Sequence, residues 1–124
     1  MNLIWVGALF AFVGVALGAF GTHALQGKVK PEDLPIWETA VRYQLYHALA
    51  LIAAGIIRQL PQTPQPDLVA KSGLLFAAGI VVFSGALYLL VFTGRRWLGA
   101  VTPLGGLLML AGWIALAWGA GRQS

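Results

Sequence analysis

The chain has 124 residues, of which 59 % are apolar and 10 % charged, with a formal net charge of +4 and no cysteine. A typical soluble domain carries roughly a quarter charged residues, so this composition excludes a dispersed soluble domain and makes the bilayer the solvent. The lack of cysteine excludes disulfides, thiolate metal sites and cysteine nucleophiles, and the scattered Lys and Arg residues suit anionic headgroups and do not form a nucleic-acid footprint.

Residues 3–22 carry no charge and are long enough for a bilayer core of about 30 Å at 1.5 Å per residue. No Lys or Arg precedes this run, and it exceeds the roughly 7–15-residue apolar core of a secretory leader, so it reads as a first span. Gly7, Ala11, Gly14, Gly18 and Gly21 recur along it at steps of four and three, and His23 ends it. Residues 23–35, with Gly27, Pro31 and Pro35, form the first loop.

The second span is the hardest to place. Tyr43 to Ile57 is uncharged but reaches only about 22 Å as a helix. The helix must therefore start near Pro35, cover about 36–58, and carry Glu38 and Arg42 as an i,i+4 pair. Tyr43, Gln44 and His47 share one face, with Tyr46 beside it, and His47 is the only titratable imidazole or charged group well inside a span.

Residues 59–67 read Gln-Leu-Pro-Gln-Thr-Pro-Gln-Pro-Asp, a proline-punctuated loop. A third span over about 72–93 carries Gly73, Ala77, Gly79, Ser84 and Gly85, with Tyr88 one turn beyond Ser84. Arg95-Arg96 make the third turn. A fourth span over about 97–120 carries Gly105, Gly112 and Gly119 at intervals of seven. Pro103 in its second turn is expected to loosen the helix there, with the Thr102 hydroxyl taking up a freed carbonyl.

Trp5 and Trp118 mark one membrane boundary and Trp37 and Trp97 the other, as an aromatic belt predicts, whereas Trp113 sits too deep for it. Lys28, Lys30, Arg42, Arg95 and Arg96 face Arg58, Lys71 and Arg122 across the membrane. That bias places the first and third loops in the cytoplasm and both termini outside. The fold expected is a single all-α integral membrane domain, an antiparallel four-helix bundle. The glycine stripes permit close backbone approach, either between spans of one chain or across a homo-oligomer.

The candidate polar intramembrane site comprises His23, Tyr43, Gln44, Tyr46, His47, Ser84 and Tyr88. Inter-helix hydrogen bonding, a proton or small-solute path using His47, and a haem held by His23 and His47 across the first hairpin are three readings of it. A hydrolase is disfavoured, because Ser84 has no recognisable base and there are no paired carboxylates, phosphate loop or zinc motif. No catalytic residue, metal site or cofactor is expected.

Four blocks carry a resemblance: Gly18-Ala-Phe-Gly-Thr-His-Ala-Leu25, Tyr43-Gln-Leu-Tyr-His-Ala-Leu-Ala50, Phe83-Ser-Gly-Ala-Leu-Tyr88, and Thr102-Pro-Leu-Gly-Gly106 with Gly112-Trp113. In this order they resemble the YgdD/YwdK-like family of small membrane proteins of unknown function. The resemblance implies four membrane helices in an inner or organellar membrane and brings no catalytic residues. Together these readings lead us to expect a structural or accessory multi-pass protein of the bacterial cytoplasmic membrane. Its expected partners are the lipid bilayer and either further copies of itself or a larger membrane complex.

Overall fold

The structure is a computed structural model that describes residues 1–121; Arg122, used in the charge comparison, lies outside the described residues. Four helical segments are long and apolar enough to cross a membrane: span 1 (Leu3–Leu25), span 2 (Pro31–Arg58), span 3 (Pro66–Thr93) and span 4 (Arg96–Gly121). The described residues contain no strand.

Local chemistry sets the ends. The Asn2 side chain accepts from the Trp5 amide at 3.1 Å and caps span 1. This span is α-helical over Leu3–Ala16, widens to a π-helical turn over Leu17–Gly21, and resumes over Thr22–Leu25. Span 2 opens on a 3-10 turn, Pro31–Asp33, before its α-helix, Leu34–Arg58. Span 3 starts at Pro66, six residues before the sequence estimate. Proline is pre-organised for a first helical position, and Asp67 suits the positive end of the helix dipole. Gly94, at φ +72°, ends the span in the left-handed region where only glycine is unstrained. Span 4 opens with a 3-10 turn, Arg96–Ala100, and its α-helix runs Thr102–Gly121. Pro103 therefore falls in the first α turn, where its missing N–H costs nothing, and the entry to the span ahead of it is a 3-10 turn. The Thr102 hydroxyl does reach a carbonyl, that of Leu98, at 3.3 Å.

Each span packs antiparallel on the next in chain order, and spans 1 and 4 make no substantial contact. On span 2, Val41, Leu45, Ala48 and Ile52 meet span 1. Ala40 and Gln44 bond to span 3. His47 bonds to span 4. At 100° per residue these are three adjacent stripes with span 3 in the middle. The outer spans thus flank the central pair on opposite sides, and the bundle is open.

The glycine stripes are consumed inside the chain. A methyl added at Gly7, Gly14, Gly18 or Gly21 would come within 3 Å of Ile52, Leu45, Val41 or Trp37 of span 2. On span 4, Gly105, Gly112 and Gly119 receive Phe83, Phe76 and Val69, also spaced by seven, and Gly79 receives Met109. Matching seven-residue spacings keep both seams in register along shallowly crossed helices. Ala11 is half-buried on the same run of span 1. These stripes are therefore not available to a second copy.

Trp5, Trp97 and Trp118 are exposed, as belt residues should be, but Trp37 is only 1 % exposed. Its placement in the belt is corrected by the packing: Gly21 leaves room for the indole between spans 1 and 3.

Gly105 and Gly106 give a matched test of the seam. A Cβ on Gly105 would clash with the backbone N and Cα of Phe83, whereas one on Gly106 meets nothing. Gly105→Ala should lower stability in mild detergent by about 1–3 kcal/mol, the usual cost of overpacking, and Gly106→Ala should leave it unchanged. Thermal unfolding followed by circular dichroism reads both.

Candidate functional site

Gln44 is 3 % exposed and joins three spans. Its Nε2 donates to the Phe10 carbonyl of span 1 at 2.8 Å, and its Oε1 accepts from the Tyr88 hydroxyl of span 3 at 2.6 Å. Gly14, one turn on, lets the two helices approach there: a Cβ on it would lie within 3 Å of the Leu45 side chain and in ordinary contact, 3.6 Å, with Gln44 Cδ. The device recurs seven residues away on both helices. Trp37 Nε1 donates to the Leu17 carbonyl at 3.0 Å, past Gly21, where a Cβ would lie 3.2 Å from that nitrogen. Leu17 begins the π-helical turn, and such turns leave backbone groups open to outside partners. One further heptad along, Leu51 packs its Cβ on Gly7 and the contact is dry.

His47 is 5 % exposed and faces span 4. Its Nδ1 lies 2.8 Å from the Tyr43 carbonyl, and its Nε2 lies 3.0 Å from Trp113 Nε1. The indole N–H can only donate, so Nε2 accepts and Nδ1 carries the proton and donates to Tyr43. The geometry thus selects the neutral Nδ1–H tautomer and leaves no ring nitrogen free. Phe76 packs against both rings, with centroids 5.6 Å from His47 and 4.9 Å from Trp113.

Ser84 is buried and donates to the Ala40 carbonyl of span 2 at 2.7 Å. Tyr88 packs on Trp37 with ring centroids 4.7 Å apart. The face of Tyr43, Gln44 and His47 is divided: Gln44 serves spans 1 and 3, and His47 serves span 4. Tyr43 is 40 % exposed and Tyr46 54 % exposed, so the two tyrosines do not turn inward with the rest. Tyr43 stacks on Phe83 at 4.7 Å.

His23 does not join this group. It is exposed and lines a separate cleft with Glu38 and Arg42. Glu38 lies nine residues from His47, about 13 Å along the helix. The expected approach of the two histidines across the first hairpin is therefore corrected, and with it the haem geometry, since both nitrogens of His47 are already bonded. Glu38 and Arg42 do not form the expected ion pair. Both are exposed, where such a pair gains little. The one ion pair among the described residues joins Asp33 to Arg96 by two parallel bonds of 3.0 Å and ties loop 1 to loop 3.

The sequence placed Trp37 in the belt, Trp113 too deep for it and Arg96 in the third turn, without their hydrogen-bond partners, and did not single out Asp33. The available signal was Trp113 itself, too deep for a belt and bearing a donor that needs a partner in hydrocarbon. Among the described residues no buried side-chain nitrogen or oxygen lacks a hydrogen-bond partner. Chemically, the buried members Gln44, His47, Ser84 and Tyr88 form a set of hydrogen bonds that mostly join one span to another.

Comparison with known proteins agrees with this picture of a membrane bundle. Residues 17–106 match the family described as "Protein of unknown function (DUF423)". The UPF0382 membrane protein SAB0533 of Staphylococcus aureus (strain bovine RF122 / ET3-1) is 47 % identical over 113 residues, which cover 91 % of this chain and 89 % of the relative. The UPF0382 membrane protein SSP2132 of Staphylococcus saprophyticus is 45 % identical over 116 residues, 94 % and 93 % of the two chains. The UPF0382 membrane protein YwdK of Bacillus subtilis (strain 168) is 42 % identical over 113 residues, 91 % and 90 %. No solved structure matches the chain.

Gln44→Leu should lower stability in detergent by about 1–2 kcal/mol, near the upper range of interhelical hydrogen bonds, because Tyr88 is left unpaired. Tyr46→Phe should be silent. In a double-mutant cycle, Gln44→Leu and Tyr88→Phe should be non-additive by at least about 0.5 kcal/mol, measured by unfolding in mixed micelles.

Proposed function

The chain belongs to the DUF423 family, and on that premise we propose that it is a non-enzymatic accessory protein of the bacterial cytoplasmic membrane. It is a small four-span element that associates with itself or docks onto a larger membrane complex. The observation that carries this reading is the condition of the buried polar groups. The side chains best suited to chemistry, Gln44, His47 and Ser84, have their polar atoms committed to carbonyls, Tyr88 or Trp113 within the same chain. They hold spans together and offer nothing to a substrate. Phe12 and Phe20 on span 1 and Leu107 and Ile114 on span 4 face outward, as lipid contact requires, and in the accessory reading these open flanks are where another membrane chain would pack. A proton path through His47 has less support. A proton on Nε2 would oppose two N–H donors and break the bond to Trp113.

In native-like nanodiscs or mild detergent, the accessory reading expects a self-associated species or a co-purifying membrane chain. A monomer without partners across a wide concentration range contradicts it. A His47→Ala variant with altered pH-driven flux in liposomes, against a parent that conducts, would instead establish transport.

For orientation we infer cytoplasmic loops 1 and 3 and external termini. Lys28, Lys30, Arg42, Arg95 and Arg96 lie at one end of the bundle, and Arg58 and Lys71 at the other. The chain has no cysteine, so single substitutions report cleanly. Gln62→Cys should react with an impermeant maleimide in intact spheroplasts, and Gln26→Cys only after permeabilisation. The opposite pattern reverses the orientation.

A further inference from the structure

We propose that spans 1 and 3, with the loops at their shared end, form a binding site for one anionic glycerophospholipid. Its phosphate sits among Lys28, Lys30 and Arg96, and one acyl chain runs down the groove between the spans. The proposal is independent of the accessory role.

Two features of different chemistry meet on one face. The first is a groove of about 480 Å³ with Leu9, Val13 and Leu17 on one wall and Val81, Gly85 and Tyr88 on the other. The polar groups that reach its floor, Gln44, Ser84 and Tyr88, are bonded to one another or to backbone. The groove therefore presents hydrocarbon. It exists because span 1 follows span 2 and because Gly85 has no side chain; a Cβ there would meet nothing within 4 Å.

The second feature is a cleft of about 540 Å³ between loop 1 and loop 3, lined by Lys28, Lys30, Thr93, Gly94 and Arg96, with Asp33 its only acid. Both Asp33 oxygens are engaged by Arg96, and neither Lys28 nor Lys30 has an ion-pair partner among the described residues. Three cations against Asp33 in the cleft, with Glu32 close to Arg96 beside it, leave a net positive charge at the membrane boundary, where anionic headgroups lie.

The two lie in line along span 3, with the buried Trp37 indole, packed on Tyr88 and Phe92, forming the floor between them. Val81, Gly85, Tyr88 and Phe92 recur at steps of four, three and four on one helix face, and Phe92 borders the cationic cleft. From Gly94 back to Val81 is about 20 Å, which exceeds the roughly 15 Å hydrocarbon depth of one leaflet. A free phosphate would use the cleft and leave the groove empty. A neutral lipid would use the groove and ignore the lysines. An anionic lipid satisfies both, and the exposed apolar wall of Val81 and Phe92 is then covered.

The test is native mass spectrometry of the full chain titrated with phosphatidylglycerol or phosphatidylcholine. The parent should retain one phosphatidylglycerol at collision energies that strip phosphatidylcholine. Lys28→Gln/Lys30→Gln should lose that preference by roughly tenfold or more, as removal of two charges beside an anionic lipid implies. Gly85→Leu, placed in open space, should weaken retention of both lipids. Arg95→Gln, whose side chain is outside the cleft, should bind as the parent does, and circular dichroism should show every variant folded. Equal retention of the two lipids by the parent overturns the proposal, as does an unchanged preference in the lysine variant. An equal loss in Arg95→Gln would mean a diffuse basic surface, and displacement by inorganic phosphate would mean a phosphate site; either result also overturns it.

Discussion

One amide, that of Gln44, holds three membrane spans at a common level. Hydrocarbon offers no partner to a polar group, so each must be satisfied by protein. Gln44 meets that constraint by donating to a backbone carbonyl of span 1 and accepting from a tyrosine of span 3. Beside that bond Gly14 receives Leu45, and its lack of a side chain lets spans 1 and 2 approach closely. Trp37 repeats the arrangement seven residues away with Leu17 and Gly21. A glycine stripe in a membrane helix is commonly read as a path for close van der Waals approach. At Gly21 of span 1 it also leaves room for the Trp37 indole N–H to reach the Leu17 carbonyl.

The seam between spans 3 and 4 relies on shape. Phe83, Phe76 and Val69 enter the gaps at Gly105, Gly112 and Gly119, and Met109 enters the gap at Gly79. Polar contacts to span 4 lie mostly at its ends, from Gln65 to the Gly119 and Trp118 carbonyls and from Arg96 to Asp33, and within the bundle the Trp113–His47 bond links span 4 past span 3 to span 2. The central pair thus carries polar contacts to one outer span and mainly steric contacts to the other. Because those outer spans sit on opposite sides, each leaves a groove beside the central pair. The groove near span 1 runs up to Leu17 and Tyr88, one turn of span 3 short of the cationic cleft at Phe92, and the groove near span 4 ends at Pro103 and is bordered by Tyr43 and Trp113.

Much of this was legible in the sequence. Three uncharged runs are long enough to span by themselves, and the fourth span follows once the short run from Tyr43 to Ile57 is extended back to Pro35 with Glu38 and Arg42. The seven-residue spacing of Gly105, Gly112 and Gly119 announces a seam, and Gln44 and His47 stand out because polar groups are costly at that depth. The partners were not legible. Gln44 bonds to a backbone carbonyl thirty-four residues away, and a carbonyl has no sequence signature. Trp37 near a boundary reads as a belt residue until the gap at Gly21 is seen. Glu38 and Arg42 have the spacing of an ion pair, yet Arg96 pairs with Asp33, sixty-three residues distant, because loops 1 and 3 share one end of the bundle. The π-helical turn at Leu17–Gly21 answers to the indole of Trp37, a tertiary cause that local propensity does not encode.

The most direct examination of this account is a through-space nuclear magnetic resonance experiment on isotopically labelled protein in lipid bilayers. It would measure the contact between the Gln44 side-chain nitrogen and the Phe10 carbonyl carbon. The account requires a cross-peak between them, together with protection of the Gln44 amide from water. A Gln44 side chain that exchanges with water and shows no contact to Phe10 would contradict the claim that this residue fastens the spans.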